Sequence, residues 1–81
     1  MHYFTASDGA RIAYEDEGEG RPLLLLHGLM AHHDFFALQR PLANRFRLIR
    51  PDLRGHGESR ARTGLEVERL AADMADLAAA L

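Results

Sequence analysis

The first fifteen residues alternate between apolar and polar side chains on either side of a turn signal. Residues 2–7 alternate loosely, and residues 10–15 resume the alternation. Between them stands Asp8-Gly9, which favours a tight hairpin because glycine readily adopts the positive φ angles that such turns need. The pattern predicts two antiparallel strands joined by this turn.

Two short apolar runs predict strands of a different kind. Leu23–Leu26 lies between Pro22 and a His-Gly pair, and Phe46–Arg50 is stopped by Pro51. Such runs are typical of strands that are buried on both faces in a parallel sheet. A helix remains an alternative for the leucine run because leucine is a good helix former, but the flanking breakers favour a strand.

Two other stretches carry apolar residues at helical spacing. We expect the first helix to begin at Asp34, whose side chain can cap it, and to bend or end early at Pro41. Before the second, Thr63 and Glu66 match a capping box, in which each side chain bonds the other's backbone amide. The apolar stripe that follows predicts a helix to the last residue and consists of Val67, Leu70, Met74, Leu77 and Leu81.

The order of these elements is strand, strand, strand, helix, strand, helix. It indicates an α/β fold in which an antiparallel hairpin opens the sheet and two parallel strands with two helices follow. Residues 51–62 combine glycines with charged residues and are expected to form an irregular loop. A chain of 81 residues has room for one small domain with a thin core.

Composition excludes several classes of function. Ten arginines stand against twelve acidic residues, so there is no positive footprint for nucleic acid, and no lysine for Schiff-base chemistry. The absence of cysteine removes disulfides. No apolar run is long enough to span a membrane, and the N-terminus lacks the features of a signal peptide, so we expect a cytoplasmic protein.

The first candidate for chemistry is the end of the leucine run, His27-Gly28-Leu29-Met30. Ligands of open parallel sheets bind beyond the carboxyl ends of the strands, where Gly28, Leu29 and Met30 are expected. Glycine lets the backbone turn sharply, so that nearby amides can point at a developing oxyanion. A tight turn without any chemistry explains the same residues equally well.

The second candidate follows the next apolar strand. Its glycines alternate with charged residues, which suits a compact turn whose side chains bond the backbone. An apolar strand ending in His-Gly, followed by another ending in Asp-x-Arg-Gly-His-Gly-x-Ser, resembles the N-terminal part of the α/β-hydrolase family. The resemblance runs from about Tyr3 to Leu81 and rests on His27-Gly28 and on Asp52, Arg54, Gly55, His56, Gly57 and Ser59.

The resemblance implies a role for each matching residue. Leu29 is similar to the family's first oxyanion-hole donor, through its backbone N–H, and Gly28 and Met30 would line the substrate site beside it. His27 resembles a structural histidine that ties loops together, and no cofactor is implied. The residues implied to shape one wall of the site, without any proton transfer, are Asp52, Arg54, Gly55, Gly57 and Ser59.

The chain departs from the family's pattern in its catalytic residues. The family's nucleophile lies in Gly-x-Ser-x-Gly between a strand and a helix, with an acid and a histidine further on. None of the three follows here. Gly57-Glu58-Ser59 matches the start of that motif, but a charged turn precedes it and not a buried strand. We therefore expect residues 1–81 to form a partial hydrolase domain that lacks the nucleophile turn.

The stretch His32-His33-Asp34 is the candidate for a metal site. Metal binding needs several ligands that converge on one point, and the side chains of adjacent residues usually diverge. A solvated loop before a helix, with Asp34 as the cap, accounts for the same residues. We therefore predict no metal site.

Two functions from different classes remain. In the first, the chain is the N-terminal segment of a serine-type hydrolase and supplies an oxyanion-hole amide for a small ester-type substrate such as an ester or lactone. In the second, it is a non-catalytic module, or a fragment that pairs with a complementary chain or with itself through an exposed strand edge. The second is motivated by Leu23–Leu26, since the chain supplies too few strands and helices to cover that run.

Overall fold

The computed structural model describes all 81 residues and contains one sheet of four strands. The strands are β1 (His2–Thr5), β2 (Arg11–Glu17), β3 (Arg21–Leu24) and β4 (Phe46–Pro51), in the spatial order β1-β2-β4-β3. The β1–β2 and β2–β4 pairs are antiparallel, and β3 and β4 are parallel. The predicted α/β architecture, with an opening hairpin followed by two parallel strands, is therefore confirmed.

The opening hairpin forms as its sequence predicts. Phe4 lies opposite Ile12, and the Gly9 amide donates to the Ala6 carbonyl at 2.9 Å within the turn. Gly9 has a φ of 92°, a conformation that glycine adopts without steric cost. The Asp8 carboxylate accepts a hydrogen bond from the Ala10 amide, which fixes the far side of the turn.

The first helical stretch differs from the prediction at both ends. It is a 3-10 helix from His33 to Asn44 with a kink at Phe36, and no residue of it is buried. Asp34 lies inside the first turn, and His32 is the cap, since its ring accepts a hydrogen bond from the Asp34 amide. Pro41 lies inside the helix and does not end it.

The second helix, α1, runs from Val67 to Ala80, so it begins later than the predicted capping box would place it. Glu66 is the cap residue and makes no side-chain cap bond. Gly64 has a φ of 70°, which no helix accommodates, and this separates Thr63 from the helix start. The capping-box prediction is therefore wrong.

The hydrophobic core lies between the sheet and α1. Met74 and Leu77 of the predicted apolar stripe are buried, whereas Val67 at the start of the helix is exposed. These two side chains pack on the inward face of the hairpin and of β4. The buried core cluster consists of Ala6, Ile12, Tyr14, Ile49, Met74 and Leu77.

Only the first half of the leucine run, Leu23 and Leu24, lies in a strand, and the prediction that the run is buried on both faces is wrong within this chain. β3 ends at Leu24 and is the edge strand of the sheet, with β4 on one side and no strand on the other. Leu24 is 37% exposed and Leu26 is 46% exposed. No helix combines the length and apolar character that crossing a membrane requires.

Candidate functional site

The candidate site lies beyond the carboxyl ends of the parallel strands β3 and β4. The chain leaves β3 through Gly28–Ala31, which we call the first turn, and leaves β4 through Asp52–Ser59, which we call the second turn. Between the two turns and the start of α1 lies an open groove of about 580 Å³. The groove is lined by Leu29, Met30, Ala31, His32, Arg54, Gly55, His56, Gly57, Leu65 and Leu70.

The first turn lines the groove and contains backbone amides without a partner in the chain. The Ala31 amide closes the turn on the Gly28 carbonyl at 3.3 Å, and Met30 has a φ of 68°. No hydrogen bond within the chain engages the amides of Leu29 or Met30. Their side chains are 76% and 95% exposed. The turn therefore holds two free donors, of which Met30 is in a conformation that an L-residue rarely adopts.

His27 joins the first turn to the second. Its ring is buried, its Nε2 accepts a hydrogen bond from the Leu53 amide at 3.0 Å, and its Nδ1 lies 2.7 Å from the Gly28 carbonyl. Because Nε2 accepts, the proton of the neutral ring resides on Nδ1 and is donated to Gly28. Burial lowers the pKa of His27 below its ordinary value, so the ring is held neutral.

Asp52 organises the second turn from a fully buried position. One carboxylate oxygen accepts from the His33 amide at 2.6 Å and from the His33 Nδ1 at 2.8 Å, and the other accepts from the Glu58 amide at 2.9 Å. Burial alone would raise the pKa of Asp52, but these hydrogen bonds outweigh it and lower the pKa. The carboxylate is therefore a fixed acceptor.

Ser59 is buried beneath the same turn, and its hydroxyl is fully engaged. The Oγ donates to the Asp52 carbonyl at 2.6 Å and accepts from the Ala13 amide at 2.8 Å. The residue has no exposed surface. A nucleophile must reach the substrate and have a base beside it, and Ser59 has neither access nor a neighbouring histidine bonded to its oxygen.

Arg54 ties the second turn to the hairpin and to α1. Its guanidinium makes paired hydrogen bonds to Asp73 at 2.8 and 2.9 Å and to Asp8 at 2.5 and 2.8 Å. Arg54 and Asp73 are both buried. The hydrogen bonds that Arg54 donates hold the pKa of Asp8 well below its usual range. Because the carboxylates of Asp8 and then Asp73 accept these bonds, they raise the pKa of Arg54.

The two glycines of the second turn allow its close packing. Gly57 has a φ of 49°, and a Cβ there would collide with the Asp52 carboxylate. Gly55 has a φ of 79°, and a Cβ would meet the Leu65 side chain at 3.0 Å. Glycine is required at both positions for backbone conformation, and at Gly57 also for space.

The structure brings together three side chains that the sequence does not predict to meet. One potential ligand atom from each of His32, His33 and Asp34 lies within 4.8 Å of the others. The bond between His33 and buried Asp52 also escapes sequence reasoning, because nothing in the pattern signals a contact between positions 33 and 52. It connects the segment after the first turn to the second turn.

Comparison with known proteins gives consistent matches. The model of the α/β-hydrolase fold family matches residues 21–81. A non-heme haloperoxidase of Rhodococcus erythropolis is 39% identical over 100% of this chain and 31% of its own length. A soluble epoxide hydrolase of Corynebacterium sp. is 36% identical over 94% of this chain and 27% of its own length.

A solved structure agrees with these relatives. The esterase of Exiguobacterium antarcticum superposes with a TM-score of 0.89 at 36% identity, covering 96% of this chain and 30% of its own. The chain thus spans less than a third of the length of these three proteins. The folded elements and the two motifs at the sheet edge match the N-terminal part of their common fold, and the chain belongs to the α/β-hydrolase fold family.

Proposed function

We propose that residues 1–81 supply one oxyanion-hole amide to a serine-type hydrolase that cleaves small ester-type substrates, with the Leu29 N–H as the donor. The observation that carries this proposal is the free amide of Leu29, in a turn that lines an open groove beyond the carboxyl ends of two parallel strands. Backbone donors aimed at such a position stabilise the oxyanion that forms when an ester carbonyl is attacked. One donor of this kind stabilises the transition state by roughly 3–4 kcal/mol.

The neighbouring residues would support that donor in three ways. Gly28 carries no side chain and leaves room for the acyl group beside the amide, and exposed Met30 offers an apolar wall. His27 holds the Gly28 carbonyl from behind. The second turn would form the opposite wall of the groove, with Arg54 and Asp52 as its anchors.

The nucleophile, base and acid of this mechanism have no counterpart in the geometry of residues 1–81. Ser59 is buried and bonded on both sides of its hydroxyl. We infer that the 81 residues form a partial domain, with the triad contributed by the remaining part of the fold, and that the whole protein is cytoplasmic. Ester chemistry is favoured over dehalogenase or epoxide chemistry because position 29 is apolar leucine and not a polar or aromatic residue.

A chimera tests this role directly. Residues 1–81 would replace the matching N-terminal part of the Exiguobacterium antarcticum esterase, and hydrolysis of a p-nitrophenyl ester would be measured. We expect Leu29→Pro, which removes the N–H, to lower kcat by roughly 10²–10³-fold, while Leu29→Ala, which keeps it, retains most of kcat. Equal kcat for the two variants in a folded chimera would contradict the proposal.

A second candidate function is pairing with a complementary chain, and the free edge of β3 favours it. The outer side of β3 has no strand partner, and Leu24 at the end of β3 and Leu26 just after it are exposed. An apolar strand edge of this kind is a template for another strand. Sedimentation of the 81-residue chain decides this: a monomer that unfolds cooperatively speaks against pairing, whereas a dimer or a complex with the rest of the fold supports it.

A further inference from the structure

The segment after the first turn carries a cluster of metal-ligating side chains that the proposed hydrolase role does not use. His32 and Asp34 are exposed and His33 is half-buried, and one ligand atom from each lies within 4.8 Å of the others. Two imidazoles and one carboxylate are a donor set suited to late first-row divalent metals such as Zn²⁺. We propose that His32, His33 and Asp34 bind one such ion at the rim of the groove.

The contact between His33 and Asp52 is the observation that supports binding beyond proximity. The buried Asp52 carboxylate accepts from Nδ1 of His33 at 2.8 Å, so in the neutral ring the lone pair is on Nε2. Nε2 points toward Asp34, whose Oδ1 is 3.6 Å away. A carboxylate behind a histidine, on the nitrogen opposite the metal, is the usual way in which proteins orient such a ligand.

The distances within the cluster require only a small adjustment. Atoms bound to the same Zn²⁺ are separated by roughly 3–3.5 Å, given bonds of about 2.0–2.1 Å. Because His32 and Asp34 are exposed, their side chains can rotate to close the remaining gap. Three protein ligands leave a fourth position of a tetrahedral ion open to water or a ligand.

Two guanidiniums lie near the cluster and oppose the ion, and both are paired with carboxylates. The guanidinium of buried Arg50 lies 3.5 Å from Asp34 Oδ1 and donates to the His33 carbonyl at 3.2 Å. On its other side, Arg50 is 3.3 Å from the Glu17 carboxylate. Glu17 also binds the guanidinium of exposed Arg40 at 3.0 Å. The three carboxylates of Asp34, Glu17 and Asp52 therefore outnumber the two guanidiniums around the cluster.

The experiment is calorimetric titration of Zn²⁺ into the untagged 81-residue chain, with Co²⁺ absorption as the readout of tetrahedral geometry. We expect one ion per chain, and no competition from excess Mg²⁺, which prefers oxygen ligands. His32→Asn, His33→Asn and Asp34→Asn should each weaken Zn²⁺ binding roughly tenfold or more. His2→Gln, a histidine on β1 outside the cluster, should bind as the wild type does.

The variants are chosen to keep the fold. Asparagine at position 32 is a good helix cap, and at position 33 its amide can still donate to Asp52. If His33→Asn does not fold, the exposed positions His32 and Asp34 decide. Zn²⁺ binding that does not saturate, or that is as strong in His32→Asn and Asp34→Asn as in the wild type, would overturn the proposal.

Discussion

The first and second turns both follow parallel strands and both include the glycine of a His-Gly pair, yet their polar groups are bonded very differently. In the second turn, the side chains of Asp52, Arg54 and Ser59 are buried and bonded to backbone or to charged partners. In the first turn, the amides of Leu29 and Met30 are free and their side chains are exposed. Saturated polar groups indicate a scaffold, and free donors beside a groove indicate a place for a ligand.

The comparison predicts that the largest loss of stability comes from the anchor of the second turn. Arg54→Met removes one of the two guanidiniums that pair with buried Asp73, leaving only that of Arg69, and should lower the free energy of unfolding by about 3 kcal/mol. Urea denaturation followed by circular dichroism measures this. Arg60→Met removes an exposed ion pair with Glu58 and serves as the control, which should leave the midpoint unchanged. Similar effects of the two substitutions would break the distinction between a buried anchor and a surface pair.

The next largest effect is expected at Ser59. Ser59→Ala leaves the Ala13 amide and the Asp52 carbonyl without their buried partner, which costs about 2 kcal/mol. Exposed Ser7→Ala is the matched control and should unfold at the same urea concentration as the wild type. The same Ser59 variant tests the alternative role: ester turnover by the wild-type chain that disappears in Ser59→Ala would show that this serine is a nucleophile.

In the first turn a substitution should raise stability and not lower it, because the backbone of Met30 is strained. Met30→Gly relieves the positive φ of 68° and should stabilise the chain by about 1 kcal/mol. At neighbouring Leu29, whose φ is not positive, glycine should only lower stability by about 0.5–1 kcal/mol through added freedom of the unfolded chain. Thermal unfolding of both variants checks the two signs, and a loss of stability in Met30→Gly would refute the strain.

The smallest effect concerns His27, which links the two turns. Burial lowers its pKa in the folded chain, so below about pH 6.5 the unfolded chain binds the extra proton more readily. The neutral His27 ring therefore makes its full contribution to the free energy of unfolding above about pH 6.5. This contribution is lost as the pH falls through that value toward the pKa of the folded chain. As the pH is lowered from 8 to 5, the free energy of unfolding should decline less steeply in His27→Gln than in the wild type. Equal slopes for the two chains would contradict a buried neutral ring.

Local signals in the sequence predicted the strands and the hairpin. The features that the sequence did not predict depend on contacts between residues far apart along the chain. Asp8-Gly9 and the breakers around the leucine run located the hairpin and the parallel strands, because turn chemistry depends on adjacent residues. The exposure of Leu24 and Leu26 depends on the position of β3 at the sheet edge, which a local pattern does not encode. The helix start failed for a related reason, since the Thr63 carbonyl is drawn to Arg54.

In the candidate site, too, local motifs were predicted and long-range contacts were not. The motif residues around Leu29 and Asp52 were found by their order along the chain, and both motifs lie at the same sheet edge. The bond between His33 and Asp52 and the meeting of His33 with its neighbours were not predicted, because they depend on how the 3-10 helix packs over the second turn.

Hydrogen exchange of individual amides in the 81-residue chain, followed by NMR, tests the contrast between the turns most directly. We expect the amides of Leu29 and Met30 to exchange at nearly the rate of an unfolded chain, because nothing in the chain bonds them. Leu53 and Glu58, whose amides bond to His27 and Asp52, should be protected. Protection of Leu29 equal to that of Leu53 would show that its amide is already engaged, and would contradict a free oxyanion donor.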